Sequence, residues 1–168
     1  MKVSIAVPSM NYGRYIWHCL RSLAEQDHAD LEVLIADGGS SDDSLDIIHG
    51  FCQRDWRFQL VSTRDDGQAD AVNRALVLAS GDVLGFLNAD DFLLCKDALS
   101  SVVEAFRMQP EADVVSFTGF YADENGRLIK PVRLRYHPLD SLALMKYRSS
   151  VLQPATFWTR KVARCRWP

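Results

Sequence analysis

Residues 81–91 read Gly81-Asp82-Val83-Leu84-Gly85-Phe86-Leu87-Asn88-Ala89-Asp90-Asp91, and the fold turns on how this stretch is understood. Val83 to Leu87 is a short apolar run bounded by turn residues, the pattern of a strand buried on both faces. The run stops at an amide, a small residue and two adjacent carboxylates. Ligands of open parallel sheets bind outside the carboxyl ends of the strands. Asp90 and Asp91 therefore read as ligand-site residues, where a hard cation would offset their mutual repulsion. Mg²⁺ or Mn²⁺ takes one or two carboxylates and fills its remaining positions with water and phosphate oxygens, so a phosphate-bearing substrate follows. The plainer reading is that Asp90-Asp91 caps the next helix.

The chain around this stretch alternates strand and helix. Val3–Val7, Leu31–Ala36, Arg57–Ser62, Val83–Leu87 and Val114–Phe117 read as strands. Helices are predicted over Arg14–Gln26, from Asp42-Asp43 through Cys52, over Gln68–Ala79 and over Asp97–Met108, with apolar positions at helical spacing. The order βαβαβαβαβ with non-alternating apolar strands predicts a parallel α/β sheet. Beyond Phe117 a β-hairpin about Glu124-Asn125-Gly126 and a short helix over Leu139–Tyr147 are expected.

Other strand ends also carry polar groups: Pro8-Ser9 after the first, Asp37 after the second, Asp65-Asp66 near the third. Their shared topological position points to one crevice, although Asp37-Gly38 alone reads as a turn. No GxGxxG follows the first strand and no GxxxxGK[ST] occurs, which disfavours dinucleotide and P-loop chemistry. A nucleotidyltransferase would bring a Gly-rich, basic loop where Pro8-Ser9-Met10-Asn11-Tyr12 stands.

The 168 residues form one expected domain, 48% hydrophobic and 24% charged, with a net charge of −3. No basic run supports a nucleic-acid partner. Cys19, Cys52, Cys95 and Cys165 form no CxxC pair and read as buried free thiols. The four tryptophans read as packing residues. The first apolar run is too short for a signal peptide, and none approaches the ~20 residues of a membrane span. A cytoplasmic protein is expected.

Four segments carry a resemblance: Val3-Ser4-Ile5-Ala6-Val7-Pro8-Ser9-Met10-Asn11; Leu34-Ile35-Ala36-Asp37-Gly38-Gly39-Ser40-Ser41-Asp42; Asp65-Asp66-Gly67-Gln68-Ala69-Asp70-Ala71-Val72-Asn73-Arg74; and Ser80-Gly81-Asp82 with Asn88-Ala89-Asp90-Asp91. In this order and spacing they resemble the family 2 glycosyltransferases. The resemblance implies a GT-A fold, a Rossmann-like, mostly parallel sheet flanked by helices, with the hairpin as an extension after the fifth strand. It implies that Pro8, Ser9 and Asp37 hold the base and ribose of a nucleoside-diphosphate sugar, a UDP-sugar first among candidates. Asp65 would contact the nucleotide, Gly67 would allow close backbone approach, and Asn73 and Arg74 would support the diphosphate. Asn88-Ala89-Asp90 stands where the family has its DxD motif, with Asn88 in place of the first acid. Asp90, with Asp91, is the implied ligand of Mg²⁺ or Mn²⁺.

The implied reaction is an inverting transfer to an acceptor hydroxyl, saccharide or lipid-linked, in polysaccharide assembly. Residues 1–117 would bind the donor. Residues 118–168, with Gln153-Pro154-Ala155-Thr156-Phe157-Trp158 resembling a later family segment, would form an incomplete acceptor side. The family's general base lies downstream of that segment, and no Asp or Glu follows Trp158. The catalytic base is thus unassigned and the C-terminus reads as truncated, with Asp123 or Glu124 as substitutes. The alternative is a nucleotide-sugar-binding fragment impaired in catalysis. Self-association and peripheral membrane contact are further expectations.

Overall fold

The computed structural model describes residues 1–62, 66–133 and 151–163. Among the described residues, eight strands and five helices follow one another: β1 (Val3–Ser9), α1 (Ile16–Ala24), β2 (Leu31–Asp37), α2 (Ser44–Arg54), β3 (Phe58–Ser62), α3 (Gln68–Leu78), β4 (Val83–Phe86), α4 (Ala98–Met108), β5 (Val114–Ser116), β6 (Phe120–Ala122), β7 (Leu128–Pro131), β8 (Thr156–Thr159) and α5 (Arg160–Ala163). A 3₁₀ turn, Gln153–Ala155, leads into β8. The expected helix over Leu139–Tyr147 lies outside the described residues.

The main sheet has the order β3-β2-β1-β4-β8-β5. β1, β2, β3 and β4 run parallel, as the apolar strands predict. The sheet is mostly parallel, as expected, and its exception lies toward the far edge. β8 enters between β4 and β5 and pairs antiparallel with both. The reason is packing at Gly85, whose register partner is Phe157. A β-carbon at Gly85 would meet the Phe157 ring at 2.8 Å, so the glycine makes room for the aromatic side chain.

The two faces of the sheet use different side chains. On one, Val3, Ile5, Val7, Val33 and Ile35 pack with α1, α2 and α4. Ile16, Cys19, Leu20 and Leu23 of α1, and Leu99, Val102, Val103 and Phe106 of α4, are the buried faces that the i, i+3, i+4, i+7 spacing predicts. On the other face, Ala71 and Ala75 of α3, with Ala79 just after it, pack on Ala6, Leu34, Ala36 and Leu84. Small side chains on both partners let this helix approach the strands closely.

Cys19 is buried and Cys52 half-buried, but Cys95 is exposed, against expectation. It lies in the irregular segment before α4, not in a helix. Trp56 is 79% exposed in the turn before β3, so it is no packing residue. Trp158 does pack, edge-on to Phe86 at 6.5 Å. Among the described residues no helix is long and apolar enough to cross a membrane.

At the amino ends of the strands a buried carboxylate ties three segments. Glu32 of β2 accepts hydrogen bonds from the Ser4 hydroxyl of β1 and the Ser80 backbone N–H, from the Ser80 hydroxyl at 2.8 Å, and from the Lys2 ammonium at 2.9 Å. Gly81 N–H donates to the Ser4 hydroxyl at 2.7 Å. Burial pushes the Glu32 carboxyl up, but these donors together outweigh it and hold the pKa at about 2. The folded value lies below the ordinary one, so the stabilisation is fully present above pH 4.5 and is lost as pH falls toward 2. By that linkage Glu32 contributes roughly 3 kcal/mol at neutral pH. We expect Glu32→Gln to lower stability by about that amount at pH 7 and the gap from wild type to narrow as pH falls below 4.5 and to close near pH 2. Urea denaturation across pH checks this, and a pH-independent gap would assign the loss to packing.

Candidate functional site

The carboxyl ends of β1 and β2 finish side by side, with Ser9 opposite Asp37 in the register. Pro8 precedes Ser9 where β4 no longer pairs with β1, so its missing N–H costs no ladder bond. Asp37 is fully buried. Its Oδ1 accepts from the backbone N–H of Gly39 at 3.0 Å and Ser40 at 2.7 Å, and its Oδ2 accepts from the Ser40 hydroxyl at 2.6 Å. Both the turn role and the strand-end position read from the sequence are therefore present in one residue. The Ser9 hydroxyl, buried beside it, has no hydrogen-bond partner among the described residues.

The loops after β1 and β2 are stitched together. Asn11 takes a left-handed backbone (φ 57°), which asparagine tolerates. Its N–H donates to the Ser40 hydroxyl at 2.8 Å, and its Oδ1 accepts from Ser41 N–H at 2.9 Å. Asp42 accepts from Gly13 N–H at 2.9 Å and Ser44 N–H at 3.0 Å, which joins the start of α2 to the first loop. These contacts give Asn11 and Asp42 structural parts that the sequence did not disclose.

β4 ends in a turn closed by Asp91 N–H donating to the Asn88 carbonyl at 3.0 Å. Ala89 is buried under it, Asp91 is half-buried and Asp90 is exposed. The residue that precedes α4 is Asp97, so Asp90-Asp91 is not the cap of that helix. Burial, then the charge of Asp90, pushes the Asp91 carboxyl above its usual range, against the lowering hydrogen bond from Asn88. The phenol of Tyr12 is also held above its usual range, first by Asp90, then by burial and by Asp91. Burial raises the Cys19 thiol behind them, helped by Asp91 and Asp90.

The Asn88 amide makes three side-chain contacts. Its Oδ1 accepts from Gln68 Nε2 at 2.7 Å; its Nδ2 donates to Asp91 Oδ2 at 3.0 Å and to Gln153 Oε1 at 2.9 Å. Sequence alone places Asn88 at the first position of the DxD-like motif and gives no role to Gln68 or Gln153 by itself. Both glutamines stand in segments that carry the family resemblance, and that was the available signal.

The remaining expected site residues are more dispersed. Gly67 opens α3 with φ 111°, a conformation that favours glycine. Asn73 and Arg74 sit on the exposed side of α3, lining a shallow groove with Val61, Val77 and Leu78. Arg74 pairs with Asp70 at 2.6 Å. Asp65 lies outside the described residues. The hairpin carboxylates considered as bases are occupied locally. Asp123 Oδ1 accepts from Asn125 and Arg127 N–H, each at 2.9 Å, and Glu124 pairs with Arg14 at 2.9 Å.

Among the described residues no group of three His, Cys, Asp or Glu side chains is poised to hold a metal. The turn offers two carboxylates, one of them exposed. That donor set fits a hard cation that keeps water and takes phosphate oxygens, and does not fit a closed structural zinc site.

A Rossmann-like sheet with a polar crevice at the carboxyl ends of its parallel strands, and an acidic turn beside it, defines an α/β domain of the GT-A kind. The sequence model described as Glycosyl transferase family 2 matches residues 4–164, and the chain belongs to that family. The chondroitin synthase of Escherichia coli is 36% identical over 127 residues, covering 76% of this chain and 18% of that protein. A PGL/p-HBAD biosynthesis glycosyltransferase of Mycobacterium bovis (strain BCG / Pasteur 1173P2) is 31% identical over 158 residues, 94% of this chain and 59% of that protein. The chain thus spans less than two thirds of either relative. Among solved structures, S. aureus TarS in complex with UDP-GlcNAc is similar over 100% of this chain and 49% of that one, with a TM-score of 0.72 and 26% identity.

Asp37→Ala leaves two backbone N–H groups and a hydroxyl of the second loop without their acceptor. We expect a loss of about 1–3 kcal/mol in stability, read by urea denaturation. An unchanged midpoint would show that the Gly39-Ser40 turn holds its shape without the carboxylate.

Proposed function

We propose that this domain binds a nucleoside-diphosphate sugar, with a UDP-sugar as the first candidate, and passes the sugar to an acceptor hydroxyl with inversion. The observation that carries the reading is the meeting, at one pole of the sheet, of the Ser9–Asp37 strand ends and the exposed Asp90 turn. TarS, a relative by fold and sequence, was solved with UDP-GlcNAc, which supports the donor class.

In this reading the nucleoside lies along the stitched loops. Pro8 and Ser9 supply the floor, and the Ser9 hydroxyl donates or accepts at the base or ribose. Asp37 holds the Gly39-Ser40 turn in the shape the nucleoside meets. Asp65 is the acid that contacts the nucleotide, Gly67 allows the backbone to approach it closely, and Asn73 and Arg74 support the diphosphate. Asn88 and Ala89 shape the turn, so that Asp90, assisted by Asp91, holds Mg²⁺ or Mn²⁺. Such a cation, when bound, stabilises negative charge on the departing diphosphate. The chain's own part is to orient the diphosphate and keep the sugar's anomeric carbon open to in-line attack. Residues 1–117 form the donor side, with the acceptor, a saccharide or a lipid-linked sugar, approaching from the side of residues 118–168.

Asp90 is exposed, and nothing described packs on its carboxylate. Asp90→Ala should therefore leave stability within about 0.5 kcal/mol of wild type. It should also remove the gain in UDP affinity that Mn²⁺ provides. Calorimetric titration of UDP with Mn²⁺ and with EDTA tests this; an undiminished Mn²⁺ effect in the folded variant would sink the assignment.

A further inference from the structure

We propose that Gln153 is a positioning residue for the cation-binding turn, acting through Asn88; this rests on the reading of Asp90 as a cation ligand. Gln153 stands at the start of the 3₁₀ turn before β8. Its Nε2 donates to the Phe86 carbonyl at the end of β4, at 2.9 Å, and its Oε1 accepts from Asn88 Nδ2 at 2.9 Å.

Two groups in this network can only accept: the Phe86 carbonyl and the Asp91 carboxylate. The carbonyl requires that Gln153 turn its NH₂ toward Phe86, which leaves Oε1 facing Asn88. The carboxylate requires that Asn88 turn its NH₂ toward Asp91, where Oε1 is also waiting. The Asn88 oxygen then faces outward to the Gln68 NH₂. Both central amides are thus oriented by fixed chemistry at the two ends, and no reversed arrangement keeps every bond.

The consequence bears on the replacement of an acid by Asn88. An aspartate at position 88 would set three acceptors, those of residues 88, 91 and 153, against one another. An asparagine there is what Gln153 can hold. Asn88 is accordingly a fixed part of the turn. It draws Asp91 toward itself, and Asp90 is left as the carboxylate presented to solvent. Gln153 ties that arrangement to β8, so the segment that completes the sheet also sets the shape of the turn.

Gln153→Met keeps the length of the side chain and removes both hydrogen bonds. Mn²⁺ alone is titrated into the whole chain and followed by the electron paramagnetic resonance of the free ion; UDP is titrated calorimetrically with Mn²⁺ and with EDTA. We expect Mn²⁺ affinity to fall about tenfold, the size typical of losing an outer-shell partner, while UDP affinity in EDTA changes by about twofold or less. Adding Asn88→Ala to Gln153→Met should cost no further Mn²⁺ affinity, because both act through one turn. Unchanged Mn²⁺ affinity, additive losses, or an equal fall of UDP affinity with and without Mn²⁺ overturns the proposal. Absence of Mn²⁺ binding by the wild-type chain overturns it together with the cation reading; wild-type binding with an unaltered variant overturns it alone. If Gln153→Met does not fold, Gln153→Asn, which withdraws the same amide by one methylene, gives the same comparison.

Discussion

The site depends on a carboxylate at the opposite end of the sheet. Glu32 holds Ser4 of β1 and the Ser80-Gly81 connection that delivers β4. A slip of one residue between parallel strands would turn every side chain to the other face. With Glu32 bonded to Ser4, its register partner, the seven paired positions of β1 and β2 can end only with Ser9 beside Asp37. The same contact fixes where β4 begins, and hence where Asn88 emerges. An interaction made by none of the proposed ligand residues therefore sets their relative heights.

The two poles differ in how their polar groups are satisfied. At the amino pole, Glu32, Ser4, Lys2 and Ser80 answer one another, and the carboxylate is ionised at little cost. At the carboxyl pole the bonds run from loop to loop, and some capacity is left over. The Ser9 hydroxyl is buried without a described partner, Asp90 faces solvent, and Asp91 is driven upward by burial. Folding free energy stored at the first pole supports a less satisfied arrangement at the second, which is where a ligand can contribute interactions of its own.

Much of the frame was legible in the sequence because it is local. The Ile16, Cys19, Leu20, Leu23 stripe names a helix and its buried face, and the apolar runs of β1, β2 and β4 name doubly covered strands. The acidic strand ends named the pole. What was not legible depends on pairing between distant residues. Thr156–Thr159 is too short and too mixed to announce itself as an interior strand, and only the fit of Phe157 onto Gly85 gives it that place. The Asn88 amide shows the same limit: its spacing marks a motif, but its hydrogen-bond direction is set by Gln153 and Gln68 from other parts of the chain. Cys95 and Trp56 were misjudged because composition says little about which loop residues face outward.

The late arrival of β8 shapes how the protein is made. During synthesis β1 to β4 and the helices α1 to α3 can assemble while β4 still presents an unpaired edge, and such edges template contacts between chains. β5 cannot cover it, since β5 pairs with β8 and not with β4. The nascent chain must therefore wait through the whole hairpin and the segment beyond it before its sheet can close. The gap in sequence makes that closure a non-local step of folding, and until it is made the β4 edge of the sheet stays open.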